Sequence, residues 1–161
     1  MSPDLARKGG VVSQLAEFAE WEECDSLHFG ESVSTAGDVD GDGYSDVVVG
    51  TYDPTLGEKG FVYYGSASGI AGVPWSVNRE AYHVATAGDV NGDGYGDIML
   101  VNDVFYGSAG GPSSVPDWTS GEGWVGGTAG DVNGDGYGDL ILGDYGDGAP
   151  GNSGIARLYY G

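Results

Sequence analysis

Short apolar runs, none of helical length, alternate along the chain with segments rich in glycine and aspartate. Three of these runs, Val47–Val49, Ile98–Val101 and Leu140–Leu142, are partly β-branched and read as buried strands. Each is followed by an aromatic strand: Phe61-Val62-Tyr63-Tyr64, a segment beginning at Val104, and Ile155-Ala156-Arg157-Leu158-Tyr159-Tyr160. Gly-Ser-rich bends at Gly65–Gly69 and Gly107–Gly111 then lead to segments carrying Trp75 and Trp118. The pattern predicts an all-β chain with four short antiparallel strands per unit. Between Val11 and Glu23 the spacing of Val12, Leu15, Phe18 and Ala19 is passable for a helix, but aligning Trp21 with Trp75 and Trp118 favours a strand there.

The polar segments are more regular than the apolar ones. TAGDVDGDGYSDVVVG from Thr35, TAGDVNGDGYGDIMLV from Thr86 and TAGDVNGDGYGDLILG from Thr128 are nearly one sentence written three times. The first two copies are 51 residues apart, Asp38 to Asp89, and the next two 42, Asp89 to Asp131. A variable connection explains the difference. Thr51–Gly60 and Asp144–Gly154 are long routes to the aromatic strand, whereas Asn102-Asp103 reads as a two-residue hairpin turn.

Oxygen-bearing side chains recur at alternate positions of each copy: Asp38, Asp40, Asp42 and Asp46; Asp89, Asn91, Asp93 and Asp97; Asp131, Asn133, Asp135 and Asp139. A calcium ion takes six to eight oxygens at about 2.3–2.6 Å, and the chain must curl to deliver them. Gly41, Gly43, Gly92, Gly94, Gly134 and Gly136 permit that curl through positive φ. The seventh positions, Tyr44, Tyr95 and Tyr137, offer a backbone carbonyl. Three calcium loops, 38–46, 89–97 and 131–139, are therefore expected. Magnesium wants a smaller octahedron and keeps its waters, and no phosphate partner is in evidence. An EF-hand would end on Glu at position twelve, where Val49, Leu100 and Leu142 stand.

With the motif F-G…A-G-D-x-[DN]-G-D-G-Y-x-D-[VIL]-x-[VIL]-G…Y-Y-G, the stretch from roughly Trp21 to Gly161 resembles the FG-GAP repeat of integrin α-subunit propellers and of many bacterial secreted proteins. The resemblance implies a β-propeller of four-stranded blades with calcium between the first two strands of each. Phe29-Gly30 aligns with Glu80-Ala81 and Glu122-Gly123, where Tyr82 and Trp124 stand in for the aromatic. On this reading residues 11–161 are three repeats and residues 1–10 a disordered N-terminal segment. Three blades do not surround an axis. Either a homodimer that exchanges the Trp21 strand closes a six-bladed ring, or the chain is an arc of a longer protein.

Five Lys plus Arg against 25 Asp plus Glu give a net charge of −20, which disfavours nucleic acid and acidic membranes. Ten of the acidic groups belong to the three loops. Cys24 is alone, and His28 and His83 are isolated, so a catalytic or disulfide role is not expected of them. Residues 1–10 lack an apolar signal core, no run is long enough to cross a bilayer, and a piece of a larger secreted or surface protein is expected. No nucleophile–base pair and no G-x-S-x-G is present. The expected function is a non-enzymatic calcium-binding module for protein recognition or adhesion. The alternatives are an accessory domain of a secreted hydrolase and a calcium-dependent carbohydrate-binding module.

Overall fold

The computed structural model describes residues 22, 28–52, 57–121, 125–149 and 153–161. Among these there is no helix. Eleven strands form three antiparallel sheets. The first has the order β1 (Phe29–Gly37), β2 (Asp46–Thr51), β3 (Lys59–Tyr64), β4 (Ala71–Val77). The second follows with β5 (Val84–Gly88), β6 (Asp97–Leu100), β7 (Asp103–Phe105) and β8 (Trp118–Thr119). The third places β10 (Asp139–Ala149) between β9 (Val125–Gly130) and β11 (Ser153–Tyr159). Each sheet is an up-and-down meander in chain order, the architecture of propeller blades. Trp75 and Trp118 lie on β4 and β8, as the repeat pattern requires. Trp21, Cys24, Trp124 and the supposed exchange strand lie outside the described residues.

The second strand of the middle blade alternates between two interfaces, Ile98 and Leu100 toward the first blade and Met99 toward the third, which is why its apolar run is continuous. Val48 and Val62 of the first blade pack with Ile98, Leu100 and Phe105 of the second. Met99 and Val104 of the second pack with Leu140 and Leu142 of the third. Tryptophans seal the seams edge-on, Trp75 against Phe105 at 5.5 Å and Trp118 against Tyr159 at 5.1 Å between ring centroids. The first strands lie side by side, β1 next to β5 and β5 next to β9.

Three expectations are corrected. The hairpin between β6 and β7 turns at Val101-Asn102, not Asn102-Asp103, because Leu100 pairs with Asp103. Val101 takes φ +56° there, where the first and third repeats have glycine. The stretch from Asp144 is not a loop. Strands β10 and β11 continue as a long hairpin, with Asp144 opposite Ile155 and Ala149 opposite Ser153. Finally, Leu140–Leu142 is not buried throughout, since Ile141 is 45% exposed.

Candidate metal centre

Each repeated loop leaves the sheet through a register slip. The slips fall between Thr35 and Gly37, between Thr86 and Gly88, and between Asp139 and Leu140 against β9. Gly37, Gly88 and Gly130 take φ values of 82°, 84° and 74° there, a conformation that favours glycine. The six loop glycines expected to have positive φ all do so. The curl is then held by short-range bonds from backbone to carboxylate. In the first loop Gly43 N–H donates to Asp38 Oδ2 at 2.9 Å, Asp42 N–H to Asp40 Oδ1 at 3.2 Å and Tyr44 N–H to Asp42 Oδ1 at 2.9 Å. The other loops repeat these bonds.

The ninth-position aspartates do a different job from the other three. Asp46, Asp97 and Asp139 are almost wholly buried. Both oxygens of each accept backbone N–H groups: Val39 and Gly65 at 2.8 Å for Asp46, Val90 at 2.8 Å and Gly107 at 2.9 Å for Asp97. Asp139 accepts from Val132 and from Gly161 at 2.6 and 3.1 Å. Each carboxylate thus ties its loop to the end of the aromatic third strand. Gly65, Gly107 and Gly161 are the partners that motif reading passed over. The signal was present, since a glycine closes every aromatic strand, and a Cβ at Gly65 would lie 2.4 Å from the Ser45 carbonyl oxygen.

Burial pushes the Asp97 carboxyl up to about 6 despite the bonds from Gly107 and Val90, and the charges of Asp93 and Asp89 push the same way. Burial also raises Asp46. A carboxyl raised in the fold favours folding while protonated, and that contribution is lost as pH climbs through its folded value. In chelator the chain is therefore expected to be more stable at pH 5 than at pH 7, by roughly 1 kcal/mol from Asp97 alone. Thermal melts at the two pH values check this. A melting temperature that rose from pH 5 to pH 7 without metal would contradict it.

The loops differ where a cation matters most. In loops two and three the third-position amide neutralises its neighbour: Asn91 Nδ2 donates to Asp93 Oδ2 at 2.8 Å and Asn133 Nδ2 to Asp135 Oδ2 at 2.7 Å. The first-position Oδ1 atoms are also satisfied, Asp89 by Gly92 and Asp93 N–H, Asp131 by Gly134 and Asp135 N–H. Loop one has Asp40 in place of the asparagine. Oxygens of Asp38, Asp40 and Asp42 lie within 4.8 Å of one another. Asp38 Oδ1 is buried without a hydrogen-bond partner. A buried, unpaired carboxylate oxygen on a residue grouped with two like charges is costly unless a cation joins it. The hard oxygen set fits calcium. Asp46 stands outside that group of three, with each oxygen already accepting one N–H.

Neighbouring loops are also fastened to each other. Gly96 N–H donates to the Asp38 carbonyl at 2.7 Å, Ser108 N–H to the Val39 carbonyl at 2.9 Å, and Gly138 N–H to the Asp89 carbonyl at 2.6 Å. The Tyr95 ring covers Gly41 so closely that a Cβ there would sit 2.5 Å from it, and Tyr137 covers Gly92 in the same way at 2.4 Å. The seventh-position tyrosines thus brace the preceding loop with their rings. His28 and His83 take no part in these loops. His83 Nε2 lies 3.1 Å from the Gly126 carbonyl, bridging the second and third blades.

Comparison with known proteins agrees with this construction. A stretch making up 45% of the chain is 37% identical over 77 residues to human integrin α-6. The match spans 7% of the integrin's length. The FG-GAP repeat model matches residues 29–64, the segment that holds β1, the first loop, β2 and β3. Over residues 29–64 the chain is similar to an FG-GAP repeat.

Proposed function

We propose that the chain is a calcium-stabilised propeller module that serves recognition or adhesion outside the cell and performs no catalysis. One observation carries the metal assignment: the buried, partnerless Asp38 Oδ1 beside the carboxylates of Asp40 and Asp42. At this site Asp38, Asp40, Asp42 and Asp46 would hold the ion with the Tyr44 carbonyl. Asp89, Asn91, Asp93, Asp97 and Tyr95 would do so in loop two, and Asp131, Asn133, Asp135, Asp139 and Tyr137 in loop three. In the latter two the asparagine would have to turn its Oδ1 toward the ion, giving up its bond to Asp93 or Asp135. Bound calcium supplies positive charge and rigidity, which is all that a scaffold for recognition loops asks of it. The likeness to an integrin supports the extracellular setting, where millimolar calcium fills even weak sites.

Calorimetric titration of metal-stripped chain tests the reading. Three calcium ions per chain are expected, the first-loop site being the tightest because it has four carboxylates to the others' three. Absence of calcium binding at millimolar concentration would refute the proposal.

A further inference from the structure

Loops two and three each place an asparagine directly before a glycine, Asn91-Gly92 and Asn133-Gly134, where loop one has Asp40-Gly41. The backbone nitrogen that follows an asparagine can close a five-membered ring on the side-chain amide carbon, and glycine has no side chain to obstruct it. Here that nitrogen also has a base on it: Gly92 N–H donates to Asp89 Oδ1 at 2.7 Å, and Gly134 N–H to Asp131 Oδ1 at 2.6 Å. The amide under attack is held at both ends. Asn91 Oδ1 and Asn133 Oδ1 accept the N–H groups of Asp93 and Asp135 at 3.0 Å, donors aimed at the oxygen on which charge gathers during attack. Asn91 Nδ2 and Asn133 Nδ2 donate to the carboxylates of Asp93 and Asp135 at 2.8 and 2.7 Å. Gly92 and Gly134 are exposed, so water reaches both pairs. In loop one the base is not engaged, since Asp38 Oδ1 has no hydrogen-bond partner.

We propose that Asn91 and Asn133 are sites of self-promoted deamidation, with the first aspartate of each loop as the base. In loop two the Gly92 nitrogen gives its proton to Asp89 Oδ1 and bonds to Asn91 Cγ, while Asp93 N–H stabilises the charge on Oδ1. The Cγ–Nδ2 bond then breaks, the proton held by Asp89 passes to the departing nitrogen, and ammonia leaves a cyclic imide. Water opens the imide at either carbonyl, giving aspartate or isoaspartate. One water is consumed and one ammonia released, with no oxidation or reduction, and each site reacts once. Loop three does the same through Asp131, Gly134 and Asp135. The aspartate product repeats loop one, with a carboxylate where an amide had donated to its neighbour. The isoaspartate product carries an extra main-chain carbon and misplaces the donors beyond it. Bound calcium would claim the Asp89 carboxylate and leave the Gly92 nitrogen without its base. That protection rests on the metal reading above, and the reaction of the metal-free chain does not.

Peptide mapping by mass spectrometry of the full chain, incubated in chelator at neutral pH, tests this. Conversion at Asn91 and Asn133 is expected, with Asn78 and Asn102 intact in the same sample. The folded chain should convert faster than the chain unfolded in urea, which gives the rate of the bare sequence. Asp89→Asn should slow conversion at Asn91 at least ~10-fold and leave Asn133 unchanged. Loss of a carboxylate that only stiffened the loop would do the reverse, since a looser Asn-Gly pair closes its ring more readily. If Asp89→Asn does not fold, Asp131→Asn carries the same test to Asn133. Conversion confined to unfolded chain overturns the proposal, as does a folded Asp89→Asn chain that deamidates as fast as the parent. Excess calcium should slow conversion at least ~10-fold. An unchanged rate in chain that calorimetry finds loaded with calcium overturns the protection, whereas chain that binds no calcium refutes the metal reading and leaves the chelator result standing.

Discussion

Asp97→Ala is expected to cost about 3–5 kcal/mol of folding stability, and to cost it with or without calcium. The side chain is completely buried, and it terminates two backbone donors, Val90 N–H in the loop and Gly107 N–H after β7. Alanine leaves both without an acceptor in a place that water does not reach. It also opens a void at the seam where the second loop joins its own third strand. Asp42, by contrast, is exposed. In chelator Asp42→Ala should change stability by less than about 1 kcal/mol. Urea denaturation of the two variants in chelator makes the comparison. If they are equally destabilised, Asp97 is not the staple that its hydrogen bonds describe.

Removing calcium from the unmodified chain should have the larger effect still. At free calcium about 100-fold above the dissociation constant, each site adds roughly 2.7 kcal/mol, and three filled sites would raise the melting temperature by more than ~15 °C. Asp40→Asn separates the two sides of that linkage. It gives loop one the residue that loops two and three already have, whose amide donates to the fifth-position carboxylate. The metal-free variant should therefore be more stable than the parent by about 0.5–1.5 kcal/mol, while its first site binds calcium more weakly. A variant less stable than the parent in chelator would show that Asp38, Asp40 and Asp42 do not repel one another in the empty loop.

Much of this was legible in the repeats. The glycine pattern gave the loop backbone, the tryptophans marked the fourth strands, and alternation of oxygen donors singled out the loops. What escaped was what depends on neighbours. Asp46 looks like Asp38 in sequence, yet it lies under the loop and Asp38 within it, a difference made by N–H groups from Val39 and Gly65. The run Leu140–Leu142 resembles Val47–Val49, but burial of its middle residue depends on what packs over that face of the sheet, which no local pattern reports. The turn at Val101-Asn102 was displaced by one residue because a β-branched residue takes a conformation usually left to glycine. The extension of β10 and β11 through 149 and 153 was hidden because glycine and aspartate there read as loop.

The rings of Tyr95 and Tyr137 give the array a direction. Like roof tiles, each loop is held down by the next one laid: the first by Tyr95 and the amide of Gly96, the second by Tyr137 and the amide of Gly138. Nothing lies within 4 Å of where a side chain at Gly134 would begin. An overlap of this kind passes strain backward along the chain, so that trimming the ring of Tyr95 or Tyr137 is felt in the loop before it and not in the loop after.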